Sequence, residues 1–152
     1  MNTVRTIILT AVLILGWVCL ASAESTHVGI VKSVMGQAQI VRGPQALSVE
    51  VNVKLLNGDL VKTGPDGKVG LVFEDDTVVS MGPNSQFRIE EFMFQPAAKK
   101  LSFIGRMIQG TAAFLSGQIA KLAPEMVRLE TPDATIGLRG THVLVKVEAS
   151  QP

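Results

Sequence analysis

Tyrosine is absent from this chain, and cysteine and tryptophan occur once each, as Cys19 and Trp17. Both fall in an apolar run from Ile7 to Leu20 that follows a single positive charge, Arg5, and precedes Ala21-Ser22-Ala23. Charge, apolar stretch and small residues in that order are the layout of a cleaved secretory signal. About 14 apolar residues at ~1.5 Å each span only about 21 Å, short of the ~30 Å hydrocarbon core that a retained anchor must cross. Lipidation at Cys19 is disfavoured because bulky Trp17 stands in Gly16-Trp17-Val18, where a lipoprotein site wants small residues. The expected cut follows Ala23, leaving Glu24 as the first mature residue and the periplasm as destination, with nothing ahead of the signal to form a cytoplasmic domain.

These scarcities narrow the function. Once the signal is removed no cysteine remains, so no disulfide forms, and any sugar-stacking platform has to be built from Phe alone. The whole chain carries 14 Lys and Arg against 13 Asp and Glu, and loss of Arg5 leaves 13 of each. Without a basic excess there is little to neutralise phosphates, which argues against nucleic acid and against capture by an anionic membrane surface. No later apolar run approaches membrane length, so no span is expected after cleavage. The 129 residues from 24 to 152 suit one domain, with its core within about 28–147.

What is present is alternation. Apolar and polar residues repeat with a period of two, the pattern of half-buried strands. Val28, Ile30 and Val34, then Ala38 and Ile40 across Gly36, read as a hairpin, and Val49, Val51 and Val53 as a further strand. Turn signals recur at Asn57-Gly58, Gly64-Pro65-Asp66-Gly67, Glu74-Asp75-Asp76 and Gly82-Pro83-Asn84-Ser85. Between them lie strand-length stretches at 59–63, 68–73, 77–81 and 87–94; strands resume at Leu101, and 107–115 reads as a crowded strand or bend. Only 118–122 suggests helix, ahead of last strands at 126–130 and 141–147. The expectation is a single all-β domain of short antiparallel strands, a β-sandwich or rolled sheet, with at most one short helix.

Chemical motifs are sparse. His27 and His142 are the only imidazoles, too few for a metal site of three or four ligands, so neither metal nor cofactor is expected. Glu74-Asp75-Asp76 lacks the spaced ligands and central Gly of a calcium loop and reads as a solvated hairpin end. Leu115-Ser116-Gly117 lacks the first Gly of a nucleophile elbow, and Gly64 to Lys68 lacks P-loop spacing. Carboxylate pairing is spatial and stays open, but the reading is a binding protein rather than an enzyme. Phe92-Met93-Phe94 is apolar on both faces of a strand, so it is either covered twice, as core, or exposes a partner patch.

One stretch is distinctive: Thr131-Pro132-Asp133-Ala134-Thr135-Ile136-Gly137-Leu138-Arg139-Gly140-Thr141, leading into His142-Val143-Leu144-Val145. With Gly58-Asp59, Thr63-Gly64, the 67–73 strand, Glu74-Asp75-Asp76-Thr77, Gly82-Pro83-Asn84-Ser85 and Gln109-Gly110-Thr111, it resembles the FecR domain family across about 28–147. Asp76 departs from the glycine that the family often has after Asp75, which puts a tight primed turn there in doubt. The resemblance implies a periplasmic sensing module that touches another protein in a regulatory relay, and this chain lacks the cytoplasmic arm of a full relay. Thr131, Pro132, Gly137, Arg139, Gly140 and Thr141 are the signature residues, expected to be structural, with Arg139 locking the turn through nearby carbonyls or Asp133. The partner expected is a protein of the periplasm or envelope; the alternative is a structural or glycan-binding accessory of the cell envelope.

Overall fold

The alternating pattern becomes twelve strands. The computed structural model describes residues 26–140 and 142–149, so the expected export signal and the signature residue Thr141 lie outside the described residues. The strands are β1 (Gly29–Met35), β2 (Ala38–Arg42), β3 (Gln45–Ser48), β4 (Lys54–Leu55), β5 (Leu60–Thr63), β6 (Lys68–Phe73), β7 (Val78–Met81), β8 (Gln86–Gln95), β9 (Lys100–Leu115), β10 (Val127–Glu130), β11 (Thr135–Gly137) and β12 (His142–Val147). One short helix, α1 (Gln118–Leu122), sits at the position the sequence suggests. All pairings are antiparallel except that of β10 with β9.

The strands form one open, curled sheet that bends through β9 into two half-sheets. The first runs β4-β1-β6-β7-β9-β12, and the second β3-β2-β5-β8-β9-β10-β11. β9 serves both because its inward phase changes along its length. Phe103 and Met107 face the core in its first part and Ala112 and Phe114 in its second, a switch from odd to even positions. A shift of one residue normally turns a strand inside out, so the backbone must absorb it. Gly110, with φ +90°, does so.

The curl places four Phe rings together. Phe103 contacts Phe73 at 4.9 Å, Phe114 at 5.2 Å and Phe92 at 5.9 Å between ring centroids, all edge-on. Phe73 lies on the first half-sheet and Phe92 on the second, so this cluster joins the two layers. Edge-to-face pairs add about 0.5–1.5 kcal/mol beyond their burial.

Two expectations fail. β1 and β2 do not form a hairpin: β1 pairs with β4 and β6, β2 with β3 and β5, and the Gly36 turn carries the chain between half-sheets. Val28 and Val31 are the buried residues here, with Ile30 half-buried, and the register shifts only after them, between Val31 and Ser33. The alternation at Val49-Val53 is not a strand either. Asn52 takes φ +70°, Val51 is exposed, and the backbone turns to bond Val31 through Asn52 N–H (2.8 Å) and Val53 C=O (2.9 Å). Alternation alone cannot reveal a left-handed residue in its midst.

Candidate interaction faces

The dispersed family landmarks become polar joints. Thr63 Oγ1 donates to Gly82 O (2.7 Å) and accepts from Ser85 N–H (2.9 Å). Ser85 Oγ donates to Thr111 O (3.0 Å) and accepts from Thr111 N–H (2.9 Å), beside Gly110. Thr63-Gly64, Gly82 to Ser85 and Gly110-Thr111 therefore meet at the bend of β9.

A second joint surrounds Asp75, which is fully buried. Its carboxylate accepts from Thr77 N–H (3.1 Å), Thr77 Oγ1 (2.8 Å) and Ile119 N–H (3.2 Å). Thr77 Oγ1 in turn accepts from Gly117 N–H (3.0 Å), so the β6–β7 turn holds the start of α1. The reading of Glu74-Asp75-Asp76 as a solvated hairpin end is thus corrected for its middle residue. Asp76 adopts φ +66°, and bonds from Phe73 N–H to Thr77 O and from Asp76 N–H to Phe73 O close a three-residue loop rather than a two-residue primed turn.

Asp59 forms the third joint. Its buried carboxylate receives Arg42 Nε at 2.8 Å and Nη2 at 2.7 Å, a two-pronged fork, plus Leu56 N–H at 2.8 Å. The bond to Asp59 holds the Arg42 proton more tightly than usual, partly offset by burial.

The signature stretch is not all turn: its Thr135–Gly137 forms β11, which makes a hairpin with β10, the strand expected at 126–130. Thr131 Oγ1 accepts from Ala134 N–H (3.0 Å) and donates to Ala134 O (3.2 Å), closing the turn over exposed Pro132 and Asp133. Gly140 has φ +56°, a reason for glycine, whereas a side chain at Gly137 would meet open space. Arg139 lies at the surface with an interaction of its own. Phe92-Met93-Phe94 divides: Phe92 is core, Phe94 half-buried and Met93 exposed, so the run is no continuous patch. Asn57 pins Phe92, its carboxamide accepting from Phe92 N–H (2.7 Å) and donating to Phe92 O (3.1 Å). His27 approaches Glu74 at 3.3 Å, and among the described residues no three metal-ligating side chains converge.

The outer faces of the two half-sheets differ in chemistry, which no sequence motif signalled. On the first, register aligns Ile30, Val72, Val78 and Leu115 across β1, β6, β7 and β9. Leu144 of β12 stands one row away, opposite Ala113. Leu115 is 50% and Leu144 76% exposed. Among the described residues β12 pairs only with β9, leaving its other edge open there, along a groove of about 540 Å³ lined by Ile136, Val143, Val145 and Val147 among others. The second outer face is polar, with Ser48, Gln39, Lys62 and Gln86 aligned across β3, β2, β5 and β8, and Arg88, Arg106 and Glu130 aligned across β8, β9 and β10.

A family model described as FecR protein matches residues 59–152, more than half of the chain. No curated protein and no solved structure gave a match.

Proposed function

The chain belongs to the FecR family, and from that premise we propose that it is an exported, non-enzymatic module that binds a protein of the periplasm or envelope through the apolar face of its first half-sheet. The family is one of periplasmic signalling regulators and is not known for catalysis. No helix among the described residues is long and apolar enough to cross a membrane. The supporting observation is the cross-strand row from Ile30 to Leu115, with Leu144 beside it on the open edge strand. Exposed apolar rows are where protein partners dock, and an open edge offers unpaired backbone for strand addition.

The test is crosslinking in the periplasm with tagged wild type, Leu115→Asp and Leu144→Asp, identifying what is captured. The reading requires an envelope protein captured by the wild type and lost with both variants, while their melting temperatures stay close to wild type. Capture unaffected by both substitutions, or capture only of further copies of this chain, would refute it.

A further inference from the structure

The second outer face holds cations that the protein does not neutralise. Arg88 and Arg106 stand directly opposite each other in the β8–β9 ladder, a like-charge pairing that costs stability in a sheet. The nearby carboxylates serve only Arg106. Glu130 takes its Nε (3.0 Å) and Nη2, and Glu90 lies 3.4 Å from its Nη1. These contacts hold the Arg106 proton above its ordinary range, the bond to Glu130 first and the charge of Glu90 second. Arg88 has no ion pair among the described residues; its Nε is buried without an acceptor, as Glu90 Oε1, tied to Arg106 by charge alone, is buried without a donor. Lys62, diagonal to Arg88 because Leu60 faces Arg88 and Lys62 faces Gln86, is likewise unpaired among the described residues.

The surroundings say what kind of anion fits. Gln37, Gln39, Ser48, Lys62 and Gln86 line one groove of about 610 Å³. Arg88 and Arg106 floor a second of about 590 Å³, walled by Ile108, Thr131, Pro132, Thr135 and Glu130, whose carboxylate is taken up by Arg106. Four aligned polar side chains at ~4.8 Å interstrand spacing make a strip about 15 Å long, running across the strands. Each carboxamide both donates and accepts, which matches hydroxyl groups. β2, β5 and β8 have neighbours on both sides, so along Gln39, Lys62 and Gln86 a peptide backbone finds no strand edge; among the described residues the edge lies at β3, beyond the row's Ser48 end. No large exposed apolar side chain lies in the row to anchor a protein hot spot. The sparse cations amid Glu90, Glu91 and Glu130 are also too few for a phosphodiester backbone.

We propose that this face binds an acidic polysaccharide, with Arg88 and Lys62 receiving carboxylates of the sugar units and Gln39, Gln86 and Ser48 their hydroxyls. A carboxylate seated on the accessible part of the Arg88 side chain offsets the repulsion from Arg106. The site is independent of the apolar face, so protein capture can fail while glycan binding persists, and the reverse.

The test titrates 15N-labelled protein with hexagalacturonate, following the Arg88 Nε–H and the Gln39 and Gln86 carboxamide signals. Neutral cellohexaose and hexaglutamate are the comparison probes. Saturable shifts with hexagalacturonate are expected, at least tenfold weaker in Arg88→Gln, Lys62→Gln and Gln86→Glu and unchanged in Lys121→Gln, with both comparison probes binding at least tenfold more weakly. Arg88→Lys, which keeps the charge without the fork, should fall between and guards against a folding defect in Arg88→Gln. The proposal is overturned if shifts do not saturate, if these substitutions leave affinity intact, if cellohexaose binds equally, or if hexaglutamate binds as tightly, which would make the ligand an acidic peptide.

Discussion

Replacing Gly110 by Ala tests the joint on which the two-layer architecture turns. At φ +90° an L side chain already costs about 1–2 kcal/mol. The added Cβ would lie 2.3 Å from Ser85 Oγ and 2.5 Å from Ser85 Cα. Ser85 cannot simply withdraw, because Thr63 holds its N–H and its carbonyl, each at 2.9 Å. Displacing the Ser85 hydroxyl strands the Thr111 N–H, a further loss of about 1–3 kcal/mol for a buried unsatisfied group. The total of about 2–5 kcal/mol lowers the melting temperature by about 6–20 °C for a domain of this size. Thermal unfolding followed by circular dichroism measures it, with Gly137→Ala as control because nothing lies within 4 Å of that added carbon. The control should stay within about 0.5 kcal/mol of wild type. If Gly110→Ala melts within a degree or two of the control, β9 can bend without a left-handed residue and the reasoning fails.

Asp75→Ala leaves the Thr77 and Ile119 N–H groups without their acceptor and should cost about 2–4 kcal/mol, with hydrogen exchange rising first at α1; uniform exchange would deny that Asp75 holds the helix. Arg42→Ala strands a buried carboxylate, and because Arg42 itself is partly exposed the expected loss is about 2–3 kcal/mol rather than that of a wholly buried pair. The sign of its pH dependence follows from Arg42: a raised folded value means the contribution is complete below arginine's ordinary range and is lost only above it. The difference in denaturant midpoint between wild type and Arg42→Ala should therefore gain no slope from Arg42 between pH 7 and 9. Phe92→Ser should unfold the protein or destabilise it by about 3–5 kcal/mol, whereas Met93→Ser should stay within about 0.5 kcal/mol; equal effects in urea titrations would contradict the division of that run.

The all-β class, most strand positions from β5 onward and the helix at 118–122 were legible because period-two burial and turn residues act locally. The joints were legible only as landmarks. Thr63, Ser85 and Thr111 read as separate punctuation, and nothing in their spacing says that they share hydrogen bonds across a bent strand. Asp75 looked solvated for a similar reason: its burial depends on α1 arriving more than forty residues later.

By itself the sequence determined the strand-rich architecture and the family, since local pattern and spaced landmarks suffice for these. Tertiary structure alone decided which strands pair, that Gly36 joins two half-sheets instead of closing a hairpin, and that Asp59 and Asp75 are buried. It also set the contrast between an apolar outer face and a polar one bearing Arg88 and Lys62. Each of these depends on register between segments far apart in the chain, and register places side chains in common rows that no linear spacing records.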